Sequence, residues 1–376
     1  MNKKKISTLL VFMLAIVIAA TGCGANTGKS GSNSGSNGGG AAAEVENLPA
    51  ALKEKGDISI KVIRKIGGDD HTAQFLAGAK QEGEALGFKV DTFSANGDTA
   101  KFLDAIEQAA ESGVDAVVLS HADVEGAVDA VQKLRDKGIE VVAFDSLASI
   151  GEVEGVTLTS QKDEALAQYA LDELVKQHGT EAKIVYLWVD GFPPMVRRNA
   201  VYQDVLAQNP GIKEVGRFGV ASDNTSVDTQ NAVAAMLAEH PKGEIDAIFA
   251  TWDAFAIGAT RALVEAGRTE VKIYGIDVSN ADLQAMQEED SPWAATAAVD
   301  AKMVGAVNIR LAAKKLAGEE TPKTYDLDAA LITQEDLKKS SEAVNVATLA
   351  DIIPGWGTTD AFEEDWIKAL KEANAK

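Results

Sequence analysis

The stretch Gly113-Val114-Asp115-Ala116-Val117-Val118-Leu119-Ser120, repeated in outline at Gly138-Ile139-Glu140-Val141-Val142-Ala143-Phe144-Asp145, decides the fold. In each, a glycine that stops a helical run leads into four apolar residues and then a polar one. Four apolar residues in a row leave no wet face, as in parallel strands covered by helices on both sides. Between the two stretches, residues 124–137 have helical spacing and end at Gly138. That is a strand-helix-strand unit, and parallel strands require such a crossover.

The rhythm extends in both directions. Strands are predicted at 58–66, 88–93, 116–119 and 141–144, then at 156–159, 184–188, 214–220, 247–250, 273–276 and 294–299. Helices are predicted at 73–86, from 99 to the stop at Gly113, and at 164–177, 197–208, 229–239, 255–266, 281–287, 302–316 and 362–373. This predicts an α/β protein of two doubly wound parallel sheets.

Composition agrees. At 376 residues the chain is long enough for two domains, and 46% hydrophobic residues are ample for their cores. The 33 glycines and only 6% aromatics suit repeated βα units. The net charge of −21 repels phosphate backbones and anionic lipid, which excludes nucleic acid and a basic membrane-binding patch. The single cysteine, Cys23, excludes a disulfide framework and a thiolate metal cluster.

Lys3, Lys4 and Lys5 precede an apolar run over 6–19 and then Ala20-Thr21-Gly22-Cys23. The run is shorter than the ~20 residues of a spanning helix, and small residues stand before the cysteine as at a signal-peptidase site. The pattern resembles a bacterial lipoprotein signal, which implies cleavage after residue 22 and acylation of Cys23. Residues 24–43 are dominated by Gly, Ser and Asn, a composition that cannot bury enough surface to order itself. As a coil it would reach roughly 25 Å. Gly28-Lys29-Ser30 is not the end of a phosphate loop, because Cys23 stands where the loop's first glycine belongs. The expected organisation is a signal over 1–22, a lipid-anchored flexible tether over 23–56, an N-terminal lobe over 57–160 plus 300–325, and a C-terminal lobe with the tail helix over 161–299 plus 326–376.

In open parallel sheets, ligands bind beyond the carboxyl ends of the strands. Here those ends carry Asp69, Asp70, His71 and Thr72, then His121, Asp145, Ser160, Asp190, Asn224, Trp252 and Asp277. Asp and Ser at such junctions also serve as helix N-caps, and Asp98, Ser226 and Asp253 are read that way. Histidine, tryptophan and the helical Arg198 are poorer caps, so they point to a site.

From residue 58 to about 331 the chain resembles the sugar-binding proteins of ABC importers, in the ribose-binding branch of the type I periplasmic binding proteins. The resemblance rests on Gly78-Ala79-Lys80-Gln81-Glu82, the two strand stretches above, Arg198 four residues before Tyr202, Trp252-Asp253 through Gly258-Ala259, and Gly275-Ile276-Asp277. It implies two lobes joined by three crossings, near Ser160, Val299 and Tyr325, and sugar contacts at Asp69, His71, Thr72, His121, Asp145, Ser160, Arg198, Asn224, Trp252 and Asp277. His71 and Thr72 stand where the family has two aromatics, Trp252 where it has asparagine, and Ser146 where an arginine often follows the aspartate. Trp252, Trp188 or Phe192 could supply an aromatic face.

The residue types suit a neutral monosaccharide or polyol. Carboxylates accept from paired hydroxyls, arginine donates in a fork, and several aspartates disfavour an acidic ligand. No catalytic residue, cofactor or metal site is expected. The four histidines lack metal-ligand spacing, no Gly-x-Ser-x-Gly turn follows a strand, and Gly67-Gly68 does not make a dinucleotide loop. A repressor with this core would carry an N-terminal helix-turn-helix in place of an export signal. The resemblance thus implies a monomeric binding lipoprotein on the outer face of the cell membrane that delivers its ligand to an ABC permease. An alternative is a sensor presenting a sugar or small signal molecule to a chemoreceptor or histidine kinase.

Overall fold

The computed structural model describes residues 45, 47–222 and 224–375. The expected signal over 1–22, Cys23 and the expected tether through residue 44 lie outside the described residues. No helix among the described residues is long and apolar enough to cross a membrane.

The stretch that opened the sequence reading forms β3 (Ala116–Ser120) and β4 (Glu140–Phe144), paired in parallel with Ala116 opposite Glu140. Val117, Val118, Leu119, Val141, Val142 and Ala143 are fully buried; full burial of a valine or leucine stabilises by ~1.5–3 kcal/mol. Around them lie β1 (Ser59–Arg64), β2 (Lys89–Ser94), β5 (Thr157–Gln161) and β11 (Thr324–Leu327), giving the parallel order β11-β5-β4-β3-β1-β2. One face packs on α3 (Thr99–Ser112) and α4 (Gly126–Asp136). The other packs on α2 (Asp70–Ala85) and α10 (Ala301–Leu316). These two helices approach unusually closely. A Cβ on Gly305 would meet the Phe75 carbonyl oxygen at 2.2 Å, and one on Gly78 the Lys302 carbonyl oxygen at 2.1 Å, so only glycine fits at the crossing.

The second sheet repeats the plan with β6 (Lys183–Leu187), β7 (Lys213–Phe218), β8 (Ala247–Ala250), β9 (Lys272–Ile276), β10 (Trp293–Ala298) and β12 (Ala330–Thr333), in the order β12-β10-β9-β8-β6-β7. Only β12 runs antiparallel. Its helices are α5 (Asp163–His178), α6 (Pro193–Gln208), α7 (Thr225–Glu239), α8 (Asp253–Glu265) and α9 (Asn280–Gln287). Two doubly wound sheets are therefore present, as the alternation of apolar runs required. The short strands β11 and β12 were not anticipated. Each has four residues, and β11 holds one buried residue, Leu327, so neither carries a strong hydrophobic pattern.

Three connections join the lobes: β5 to α5 through Lys162, β10 to α10 through residues 299–300, and β11 to β12 through residues 328–329. The C-terminal tail adds a fourth. Gln287 bonds Val344 in both directions and Trp356 is buried in the C-terminal lobe. The chain then returns to the N-terminal lobe, where Arg310 donates to the Thr359 carbonyl at 2.8 Å and α12 (Asp365–Asn374) lies beside α2 and α10. The expected assignment of this helix to the C-terminal lobe is corrected. Trp366, Ile367 and Leu370 bury one face, Trp366 Nε1 donates to Glu319, and Asn374 donates to the Ala85 carbonyl at 3.1 Å.

The tether reading is also corrected at its far end. Val45, Leu48 and Leu52 recur at helix-like spacing and are buried, and α1 (Ala50–Lys55) is anchored by Lys55 to Asp115 at 3.0 Å. Residues 45 and 47–55 belong to the N-terminal lobe.

If α12 is part of the fold and not an appendage, Trp366→Ala should cost ~3–5 kcal/mol, as for a buried tryptophan elsewhere. Urea denaturation of the variant checks this. A loss below about 1 kcal/mol would show the helix to be peripheral.

Candidate functional site

Three residues at the strand tops share an uncommon backbone. His121, Asp145 and Asp277 are the first residues beyond β3, β4 and β9, and their φ angles are 60°, 46° and 75°. Outside glycine this left-handed region costs ~1–3 kcal/mol and persists where the surroundings enforce it. The surroundings here are the neighbouring strands: the three N–H groups donate to the Phe144, Thr159 and Ala297 carbonyls at 2.9 Å each. The sheet thus holds the backbone while the side chains turn over its end.

These side chains meet in a cavity between the lobes with about 640 Å³ of empty space, part of it open to solvent. The N-terminal lobe contributes Arg64, Ile66, Asp69, His71, His121, Asp145 and Gln161. The C-terminal lobe contributes Val189, Phe192, Pro194, Met195 and Arg198 from the β6–α6 region, with Ala221, Trp252 and Asp277.

Arg64, the last residue of β1, is only 1% exposed, and no carboxylate pairs with it among the described residues. Its Nε donates to Thr72 Oγ1 at 3.0 Å, Nη1 to Ser120 Oγ at 3.0 Å and Nη2 to His71 Nδ1 at 3.3 Å. Burial lowers its pKa, against the pull of Asp69, Asp145, Asp277 and Asp253. Because arginine only donates, His71 Nδ1 must accept, which places the ring proton on Nε2. Ser120 Oγ, accepting from Arg64, also lies 2.9 Å from His121 Nδ1. Burial, then the Arg64 charge, holds both histidines below their ordinary pKa and neutral.

A second network crosses the cleft. Asp163, at the start of α5, accepts from Arg197 Nε at 2.9 Å and from Arg198 Nε at 2.8 Å. Arg198 also donates to the Thr251 carbonyl at 2.6 Å and to Asp277 at 3.3 Å. Burial acts to lower its pKa, but Asp277 and Asp163 raise it more, so it stays charged. Arg197, from the C-terminal lobe, reaches Asp145 Oδ1 in the N-terminal lobe at 3.1 Å. The Asn280 N–H makes a second bridge to Asp70 at 3.1 Å. Burial and then the Asp163 carboxylate push Asp145 up to about 8, against the arginines. The cavity charges are therefore two arginines facing three aspartates, one of them driven toward its neutral form.

Among the described residues four buried side-chain atoms lack any hydrogen-bond partner, and three of them belong to residues that line this cavity: His71 Nε2, Asp145 Oδ2 and Gln161 Oε1. Leaving such a group unmade costs ~1–3 kcal/mol. A donor and an acceptor on the walls of one cavity can bind ligand hydroxyls, which both donate and accept.

Of the residues singled out in the sequence, Asp69, His71, His121, Asp145, Arg198, Trp252 and Asp277 line the cavity. Asp69 also caps α2, accepting from the Thr72 N–H at 2.6 Å. Three do not line it. Thr72 lies one layer behind, holding Arg64. Ser160 bonds Asp326 on β11. Asn224 is exposed and precedes α7. The Ser160 expectation fails on parity. The strand runs through Gln161, not to 159, and because alternate residues face opposite sides, Gln161 takes the cleft position. Of the residues expected as caps, Asp98 caps α3, whereas Ser226 lies inside α7 and Asp253 begins α8 after Trp252. Sequence reasoning passed over Arg64, whose signal was a charge on the strand face shared by Ile58, Ile60 and Val62.

Comparison with known proteins agrees with this architecture. A family model, the periplasmic binding protein domain, matches residues 60–320. The crystal structure of a sugar ABC transporter from Yersinia enterocolitica superposes with a TM-score of 0.84 at 48% identity, covering 88% of this chain and 99% of that one. The 5-methylthioribose transporter solute binding protein of Thermotoga lettingae, in complex with 5-methylthioribose, gives 0.79 at 32% identity over 84% of this chain and 98% of its own. The ribose import binding protein of Escherichia coli is 26% identical over 263 residues, 69% of this chain and 84% of that protein. With a family model covering well over half the sequence and a cleft of this construction, the chain belongs to the periplasmic binding proteins.

Proposed function

We propose that this protein captures a neutral monosaccharide or polyol between its lobes outside the cytoplasm and delivers it, as a monomer, to the permease of an ABC importer. The observation that carries the reading is the trio of unpaired buried atoms, His71 Nε2, Asp145 Oδ2 and Gln161 Oε1, in one cavity. Sugar hydroxyls donate and accept in the same group, so one ring can satisfy all three. Near-balanced charge in the lining supports a ligand without net charge. The sugar-importing relatives support the class. Ligand binds both lobes at once, so it favours the closed arrangement by its differential affinity. A closed shape is then what a permease can distinguish from the empty protein. His71, His121, Asp145, Gln161 and Arg198 would contact hydroxyls, with Asp69 and Asp277 completing the polar surface and Trp252 offering a ring face to the sugar's C–H side.

The test is a thermal-shift screen of pentoses, hexoses and polyols. A ligand bound only by the folded state raises the melting temperature, and at 100 times its Kd adds ~2.7 kcal/mol. No response to any of them would overturn the reading. Gln161→Leu gives a sharper check, since it removes the unpaired oxygen while nearly keeping the shape. Affinity should fall about tenfold, with apo stability unchanged or higher; unchanged affinity would remove Gln161 from the contacts. Arg198→Ala is the poorer probe, because it strands the buried Asp163 and Asp277 carboxylates and would destabilise the fold by ~3–5 kcal/mol.

Anchoring through an acylated Cys23 completes the proposal. Cys23→Ser should move the protein from the membrane pellet to the soluble fraction, and an unchanged distribution would argue against a lipid anchor there.

A further inference from the structure

Polar and apolar groups in the cleft are segregated. In the C-terminal sheet the order β9-β8-β6-β7 carries, just beyond each strand, Asp277, Trp252, Val189 and Ala221 in the cavity wall. Charge stands at the β9 end, and apolar surface extends from there to the β7 edge. The β6–α6 turn adds Phe192 and Met195 to the apolar side. Met195 is fixed against the end of β8, with Thr251 Oγ1 at 3.3 Å from its Sδ.

The N-terminal wall is polar along its length: Gln161, Asp145 and His121 follow β5, β4 and β3, and Arg64, Asp69 and His71 stand at the end of β1 with Ile66, the one apolar lining residue of that lobe. All three unpaired cavity atoms belong to the N-terminal lobe. The cavity thus has a hydrogen-bonding wall in the N-terminal lobe and, at the β6–α6 turn, an apolar surface made by Val189, Phe192, Pro194 and Met195. A bare sugar carries hydroxyls around its whole perimeter. Seated here, those facing Val189, Phe192 and Met195 would give up water without a replacement partner.

We propose that the ligand is an amphipathic sugar: a pentose whose terminal hydroxyl is replaced by a small apolar group such as an alkylthio. Its hydroxyls face His71, Asp145 and Gln161, and its apolar group lies against Val189, Phe192 and Met195, where thioether sulfur and aromatic ring also attract. This rests on the sugar-binding reading above. It adds a specificity wall, made by the β6–α6 turn, that selects for the substituent.

Calorimetry with ribose and with 5-methylthioribose, the ligand of the Thermotoga lettingae protein, separates the two claims. The substituted sugar should bind at least about tenfold tighter, the discrimination an apolar pocket gives for one or two added groups. Phe192→Ser should reduce that ratio about fivefold or more. Val189→Thr, nearly isosteric and so safe for folding, should reduce it in the same direction. Ribose binding as tightly as 5-methylthioribose, or a ratio unmoved by both variants, would overturn the inference while leaving the sugar-binding reading standing. Absence of binding by any saccharide would end both.

Discussion

The rest of the site depends on a guanidinium buried without a counter-ion. Taking a charge out of water costs several kcal/mol even after relaxation, and a carboxylate in contact usually offsets it. Arg64 instead rests on two hydroxyls and an imidazole, over the Phe75 ring at 5.0 Å, while its aspartates stand farther off. A donor-only group in that place fixes the direction of the three hydrogen bonds it makes. His71, accepting at Nδ1, is left with its proton on Nε2, and burial beside the Arg64 charge keeps both histidines neutral. The site's donor pattern is set by covalent chemistry one layer beneath the cavity.

The opposite wall is governed by Asp163. Fully buried at the start of α5, it accepts from Arg197 and Arg198 together, and they reach on to Asp145 and Asp277. Asp163 lies two residues beyond Gln161, at the first crossing between the lobes. The network therefore ties the hinge to both halves of the cavity, and the Arg197–Asp145 pair spans the gap that must open for a ligand to enter. Strain is held in the same place, in the left-handed backbone of His121, Asp145 and Asp277. The tail acts elsewhere. It fastens the lobes a fourth time, through Arg310, Glu82 and Lys371 around α12.

Much of the architecture was legible because burial on both faces leaves an unbroken apolar run, and helices between such runs end at glycines such as Gly113 and Gly138. The strand tops were legible as well, since the chain must place polar groups there. What escaped reading follows from the same physics. The parity of a strand is lost when its end is misjudged by one or two residues, so Ser160 was read for Gln161. Arg64 looked like one more residue on a strand face, because its role comes from partners 7, 8 and 56 positions away. The side chosen by α12 depends on complementary surface on α2 and α10, which no local pattern encodes. Arg197, next to the expected Arg198, was missed because only the fold brings Asp145 within its reach.

The claim that all of this converges on is that a neutral sugar completes the hydrogen bonding of the cleft. A crystal structure of the protein with its best-binding saccharide measures this directly. The account predicts ligand hydroxyl oxygens within ~2.7–3.2 Å of His71 Nε2, Asp145 Oδ2 and Gln161 Oε1. A saccharide seated elsewhere, or one in the cleft that leaves these three atoms without partners, would contradict it.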